Sequence, residues 1–235
     1  MIARMMLMSA LAACAGCSNM SQVVDTGTQL SQAAGYNPAQ LSEAVKEALA
    51  LSVTRASDDL SQKGGYSSGV YRLHLPEEVE QITSVMKQFG LGDEVEKVEN
   101  LMNQGAEIAA AEAKATFLQA VSQMSVDDAI GIVRGGDTSA TDFFRAQTEG
   151  SLQQRYQSIM QGQLKKLGFY SEYQQLLGAY KLLPIANKPN LDLEQAAVSQ
   201  GIEGLFAQIG EEEKNIRQNP METGNLLISS IFGKK

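Results

Sequence analysis

Apolar residues recur along most of this chain at spacings of three and four, the period of a helix with one face turned inward. Leu41, Ala44, Val45, Ala48, Leu49, Val53, Ala56 and Leu60 form one such stripe. Asn37-Pro38 ahead of it predicts an N-cap and a first-turn proline, and Lys63-Gly64-Gly65 predicts its end. Pro76 is expected to start a second helix, with Val79, Ile82, Val85, Met86 and Phe89 inward and Gly90 just past its end. Asp93 is expected to cap a longer third. Its inward residues are Val95, Val98, Leu101, Met102, Ile108, Phe117, Leu118, Val121 and Met124, and its alanine-rich middle, Ala109 to Ala115, permits close packing.

Later stripes behave alike. Leu152, Tyr156, Ile159, Met160, Leu164 and Leu167 are closed by Gly168, and Tyr170 to Leu183 is stopped by Pro184. Leu193, Ala197, Ile202, Leu205, Phe206 and Ile209 begin a helix whose polar continuation runs through Arg217 and stops before Pro220. Leu226, Leu227, Ile231 and Phe232 form the final stripe. The five prolines all fall between stripes, which is the strongest argument for an all-α, single, helical-bundle-like domain of about seven to nine helices. Val70-Tyr71-Arg72-Leu73-His74-Leu75 is the one alternating stretch. It predicts a short extended segment with Tyr71, Leu73 and Leu75 inward, although no partner strand is evident.

The N-terminus reads as an address rather than as part of the fold. Arg4 precedes an apolar run from Met5 to Ala13, shorter than the roughly 20 residues that span a bilayer. Leu11-Ala12-Ala13-Cys14 then has the form of a bacterial lipobox, in which small residues enter a peptidase cleft and the thiol accepts a diacylglyceryl group. Cys17 is the alternative acceptor. The expected organisation is a signal peptide over 1–13, a flexible tether over 14–36 and the helical domain over 37–235. Neither cysteine is followed by Asp, so the Gram-negative sorting rule points to the outer membrane, facing the periplasm.

Composition narrows the chemistry. With 19 Lys+Arg against 27 Asp+Glu, the net charge is −8 and no basic block offers a phosphate-backbone site, so no nucleic-acid partner is expected. There is no Trp, one His and two Cys, which removes poly-His and Cys-based zinc sites and a disulfide framework. No Gly-x-Ser-x-Gly elbow, Walker loop or dinucleotide fingerprint occurs, and no cofactor is expected. His74, ahead of Leu75-Pro76, is expected at a helix entry.

The most distinctive stretch is Met124 to Arg145. Ser125 and Asp128 fit a capping box, Gly135-Gly136 would break the short helix, and Asp137 or Thr138 would cap the next. The same stretch could form a binding site at a helix N-terminus from Asp127, Asp128, Arg134, Gly135, Gly136, Asp137, Thr138, Thr141, Asp142 and Arg145. Asp137 and Asp142 are the candidate metal ligands, though their spacing does not match a calcium loop. Glu211-Glu212-Glu213-Lys214-Asn215-Ile216-Arg217 reads as a solvated helix face with a Glu213–Arg217 pair. Glu211, Glu212 and Arg217 join the candidate site if one of those glutamates pairs with Arg134 or Arg145.

The core Gly135-Gly136-Asp137-Thr138 with Ala140-Thr141-Asp142 and Phe144-Arg145 resembles the bacterial domain-of-unknown-function family numbered 4197. Leu73-His74-Leu75-Pro76, the run from Gly204 to Pro220, and Leu226-Leu227 with Ile231-Phe232-Gly233 agree in the same order, over about residues 40–233. The resemblance implies an exported, mainly helical protein without an assigned activity. The family often has Tyr at Phe143 and Arg-Thr-Thr near Glu222-Thr223-Gly224, where this chain differs. Two functions follow as expectations. One is a non-enzymatic envelope lipoprotein, held on the membrane by its lipid, that binds a protein partner or an apolar ligand. The alternative is a carboxylate- or metal-dependent periplasmic enzyme built on Asp127 to Asp142.

Overall fold

Asn37 opens the first helix with a reciprocal cap: its Oδ1 accepts the Gln40 N–H at 2.8 Å, and Gln40 Oε1 accepts the Asn37 N–H at 3.1 Å. The computed structural model describes residues 37–76, 80–184, 188 and 192–233. Cys14, Cys17, the signal peptide and the tether lie outside the described residues, as do Val79 and the side chain of Ile82.

Among the described residues, eight α-helices run in chain order: α1 (Pro38–Ser61), α2 (Glu80–Gln88), α3 (Gly92–Gln123), α4 (Ala129–Arg134), α5 (Ser139–Lys166), α6 (Phe169–Leu182), α7 (Leu193–Gln218) and α8 (Leu226–Phe232). A 3-10 turn, Pro220–Thr223, precedes α8, and the described residues contain no strand. The fold is all-α.

The four long helices form a ring in which α1 packs on α3, α3 on α5, α5 on α7 and α7 back on α1. Their apolar stripes meet in the middle, as amphipathic helices must. All the residues predicted inward on α1 are buried. Phe117, Phe144 and Phe206, one each from α3, α5 and α7, stand with ring centroids 5.5–6.2 Å apart at tilted or edge-on angles. A second, smaller cluster joins the start of α1 (Leu41, Ala44, Ala48) to Ile216 and to Ile228, Ile231 and Phe232.

Four predicted details change. Asp93 does not cap α3; Leu91 holds the cap position without a side-chain bond, and Asp93 sits in the first turn, where a carboxylate still favours the helix dipole. Phe89 is 57% exposed, lying beyond the last turn of α2 where the chain turns at Gly90, with φ +82°. Ile108 is also exposed, at 39%. The inner faces of α3 are carried by Met102, Gly105, Ala106, Ala109, Ala110 and Ala113, so Ile108 points away. Leu226 is exposed at the first position of α8, whose buried face is Ile228, Ile231 and Phe232.

The extended segment after α1 finds partners without a sheet. Leu73 and Leu75 are buried, Tyr71 is half-buried and Val70 is exposed, so the alternation holds. Asn103 Oδ1 accepts the Leu73 N–H at 2.8 Å, and its Nδ2 donates to the Leu73 carbonyl at 2.9 Å. Gln200 does the same for His74, at 3.0 and 2.9 Å. Two side-chain amides thus take the place of two neighbouring strands, which answers the demand that inward-lying backbone be hydrogen-bonded. His74 itself is exposed, with Nδ1 3.7 Å from Glu99 Oε1.

Two tyrosines fix how closely α7 approaches its neighbours. Tyr66 and Tyr156 are fully buried, and the Tyr66 hydroxyl donates to the Gly201 carbonyl at 2.6 Å. A Cβ on Gly201 would lie 2.5 Å from the Tyr156 hydroxyl, and one on Gly204 would lie 2.9 Å from the Tyr66 ring. Gly201→Ala is therefore expected to destabilise by about 1–3 kcal/mol. Gly162→Ala in α5, where a Cβ meets nothing within 4 Å, should stabilise by roughly 0.5–1 kcal/mol. Urea unfolding of both variants checks the opposite signs.

Burial raises the Tyr66 phenol, with Tyr156 adding to the shift, and burial raises Tyr156 as well. Tyr170 is pushed up to about 12 by burial and then by Glu194, whose Oε2 accepts its hydroxyl at 2.5 Å. The fold holds these protons more tightly than the unfolded chain, where a phenol titrates near about 10. Their stabilisation is therefore complete below about pH 10 and is lost as pH rises through the higher folded values. Tyrosinate absorbance should lag behind that of free tyrosine and then rise together with loss of helical circular dichroism. Ionisation near pH 10 with the helices intact would refute this.

Candidate functional site

The stretch that the sequence marks out is organised by two residues of α7. Helix α4 ends at Gly135-Gly136, where its last carbonyls lack their full set of intrahelical partners, and α5 begins at Ser139, where the Ala140 and Thr141 amides lack intrahelical acceptors. Glu213 and Arg217, one turn apart on α7, reach both ends. Glu213 Oε1 accepts the Ala140 N–H at 2.9 Å, while Oε2 accepts the Thr141 N–H and Oγ1–H, both at 2.6 Å. Arg217 donates from Nη2 to the Ile132 carbonyl at 2.9 Å and from Nη1 to the Val133 carbonyl at 3.1 Å. Its Nε closes the bridge to Glu213 Oε1 at 2.7 Å, and the guanidinium lies 4.9 Å from the centre of the Phe232 ring. Each charge faces the helix end of opposite polarity.

This arrangement corrects three expectations. The run Glu211 to Arg217 is not a solvated face, because Glu213 is 1% and Arg217 9% exposed. Neither Asp137 nor Thr138 caps α5 by its side chain; Glu213 does, from another helix. Ser125 and Asp128 do not form a capping box. Asp128 is itself the cap of α4, accepting the Gly131 N–H at 2.8 Å, and the Ser125 hydroxyl donates to Asp127 at 2.8 Å.

The other candidates spread outward from this clamp. Arg134, Gly135, Gly136 and Asp137 are exposed on the α4–α5 connection. Thr138 donates to Asp142 at 3.0 Å, and Thr141 is buried in the clamp. Arg145 is held by Glu149 and Glu203 and lies 5.2 Å from the centre of the Phe206 ring; both carboxylates hold its guanidinium charged. Glu211 pairs with Lys214 at 3.6 Å and Glu212 with Arg55 at 3.8 Å, so neither meets Arg134 or Arg145. Burial raises the Glu212 carboxyl, with Asp59 adding to the shift and Arg55 opposing it. Among the described residues no group of three or more His, Cys, Asp or Glu is placed to hold a metal, and Asp137 and Asp142 gain no third ligand.

Sequence reasoning passed over Glu107, a buried carboxylate of α3. Its Oε1 accepts the N–H groups of Gly64 and Ser67 at 3.1 Å and the Ser67 hydroxyl at 2.8 Å, tying the turn after α1 to the ring. An acid inside the apolar run Gly105-Ala106-Glu107-Ile108-Ala109-Ala110 was the available signal.

The described helices, the clamp and the amide-held segment all fall within one family match, which runs over residues 35–233. The chain belongs to the family described as protein of unknown function, DUF4197. No curated protein and no solved structure matches it. The DUF4197 match begins two residues before the Asn37 cap and ends at Gly233, so it takes in all eight helices, the α4–α5 connection and both clamp residues.

Arg217→Met in this DUF4197 protein would leave Glu213 buried without its countercharge, the Val133 carbonyl without its donor and the Ile132 carbonyl with the Gly135 N–H alone. The expected loss is about 3–5 kcal/mol. Lys214→Ala, on the open side of the same turn, should stay within about 0.5 kcal/mol. Equal losses in urea unfolding would show that the clamp contributes nothing special.

Proposed function

We propose that the protein is a bacterial envelope lipoprotein whose helical domain is a non-enzymatic binding module for a protein partner or an apolar ligand. Lipid on Cys14, with Cys17 as the second candidate, anchors it to the outer membrane facing the periplasm, and a tether over residues 14–36 separates lipid from domain. Several acyl chains, each buried CH₂ contributing about 0.8 kcal/mol, suffice for stable attachment.

The observation that carries the non-enzymatic reading is how the carboxylates of the marked stretch are used. Asp128 is a helix cap, Asp127 and Asp142 accept neighbouring hydroxyls, Glu213 is consumed by two amides, a hydroxyl and a guanidinium, and Glu212 faces Arg55. Asp137 is exposed, and among the described residues no group of three or more His, Cys, Asp or Glu converges around it or its neighbours. The carboxylate enzyme therefore lacks such a cluster to work with.

The anchor is tested by fractionation. The full chain should sediment with membranes and partition into detergent, and the double variant Cys14→Ala/Cys17→Ala should be released into the soluble fraction. Single variants identify the acceptor. Persistent membrane attachment of the double variant would remove the lipoprotein reading.

A further inference from the structure

A groove of about 270 Å³ lies between the C-terminal part of α3 and the middle of α5. Gln119 and Gln123 line it from α3, and Gln147, Ser151 and Arg155 line it from α5. The α5 residues are spaced four apart, so they form one row about 12 Å long. That is the length of three or four residues of extended chain.

The groove carries no carboxylate, unlike two other depressions of the surface. The chain carries a net charge of −8, yet no Asp or Glu lines this site. The depressions beside Glu203 and beside Asp93 and Glu96 each carry carboxylates. Arg55, Arg72, Arg145 and Arg217 are all paired with glutamates. Arg155 is exposed and has no ion pair among the described residues. The side-chain amides of Gln119, Gln123 and Gln147 likewise make no hydrogen bond among the described residues. Each amide offers two donors and an acceptor. The Ser151 hydroxyl donates to the Thr148 carbonyl, which leaves its lone pairs to accept.

We propose that this groove binds the C-terminal end of an extended peptide, with the terminal carboxylate on Arg155 and the peptide groups on the glutamine amides. A planar guanidinium matches a carboxylate with two parallel hydrogen bonds. The amide chemistry already operates within this fold, where Asn103 and Gln200 each grip one residue of an extended segment by a donor–acceptor pair. No aromatic ring lines the groove, which disfavours a sugar, and one cation is too few for a nucleic acid. The assignment rests on the reading of the domain as a binding module and names the chemistry of its partner.

The test is fluorescence anisotropy with full-length protein in detergent and a dansylated pool of mixed-sequence tetrapeptides bearing a free α-carboxylate. Saturable binding is expected, competed by the unlabelled pool. It should weaken by about tenfold or more when the pool is amidated and in Arg155→Ala, since a hydrogen-bonded charge pair is lost. Lys166→Ala removes an exposed cation of the same helix that does not line the groove and should leave binding unchanged. Circular dichroism confirms that the exposed-site variants remain folded. Absence of saturable binding, or binding that survives both amidation and Arg155→Ala, overturns the proposal. Membrane attachment is read separately in the cysteine variants, so failure of the groove and failure of the anchor are distinguishable.

Discussion

Two buried charges one turn apart on α7 join the end of α4 to the start of α5. Glu213 and Arg217 are buried, and burial of either alone would be severely unfavourable. Together they are matched on every side: carboxylate to the amides that start α5, guanidinium to the carbonyls that end α4, and each to the other. The Gly135-Gly136 break depends on this match. It frees helix-end groups that water would otherwise have to satisfy, and α7 supplies their partners. The same guanidinium lies against Phe232, so the C-terminal helix α8 is joined to the clamp as well.

The remainder of the architecture repeats that logic with neutral groups. Asn103 and Gln200 serve the extended segment as two strand edges would, and Glu107 serves the turn ahead of it. In each case a polar side chain on a long helix completes the hydrogen bonding of irregular backbone. The regular ring of α1, α3, α5 and α7 thereby determines the course of its connections. Gly201 and Gly204 set how near α7 can come, because the Tyr156 and Tyr66 rings occupy the space that Cβ atoms would need.

These features bear on function through what they leave open. Polar side chains committed to the backbone are unavailable for chemistry, and most carboxylates of the marked stretch are committed in this way or to neighbouring hydroxyls. Arg155 and the glutamines around it are not, and they face a groove free of negative charge. The distinction between engaged and unengaged polar groups, rather than residue type, separates scaffold from candidate binding surface.

The helices, their order and most of their inward faces were determined by the sequence alone, because helical periodicity, the Asn37 cap and the five prolines act over a few residues. The family followed from the same local runs. Ile108 departed because α3, packed on α1 and α5, turns Gly105, Ala106, Ala109, Ala110 and Ala113 inward, a fit decided by the partners. The fate of Glu213 and Arg217 was likewise beyond local reading. At spacing four they suit a solvated pair as well as a buried one. Only the meeting of α4, α5 and α7, brought together across more than 70 residues, decided that both charges would be enclosed.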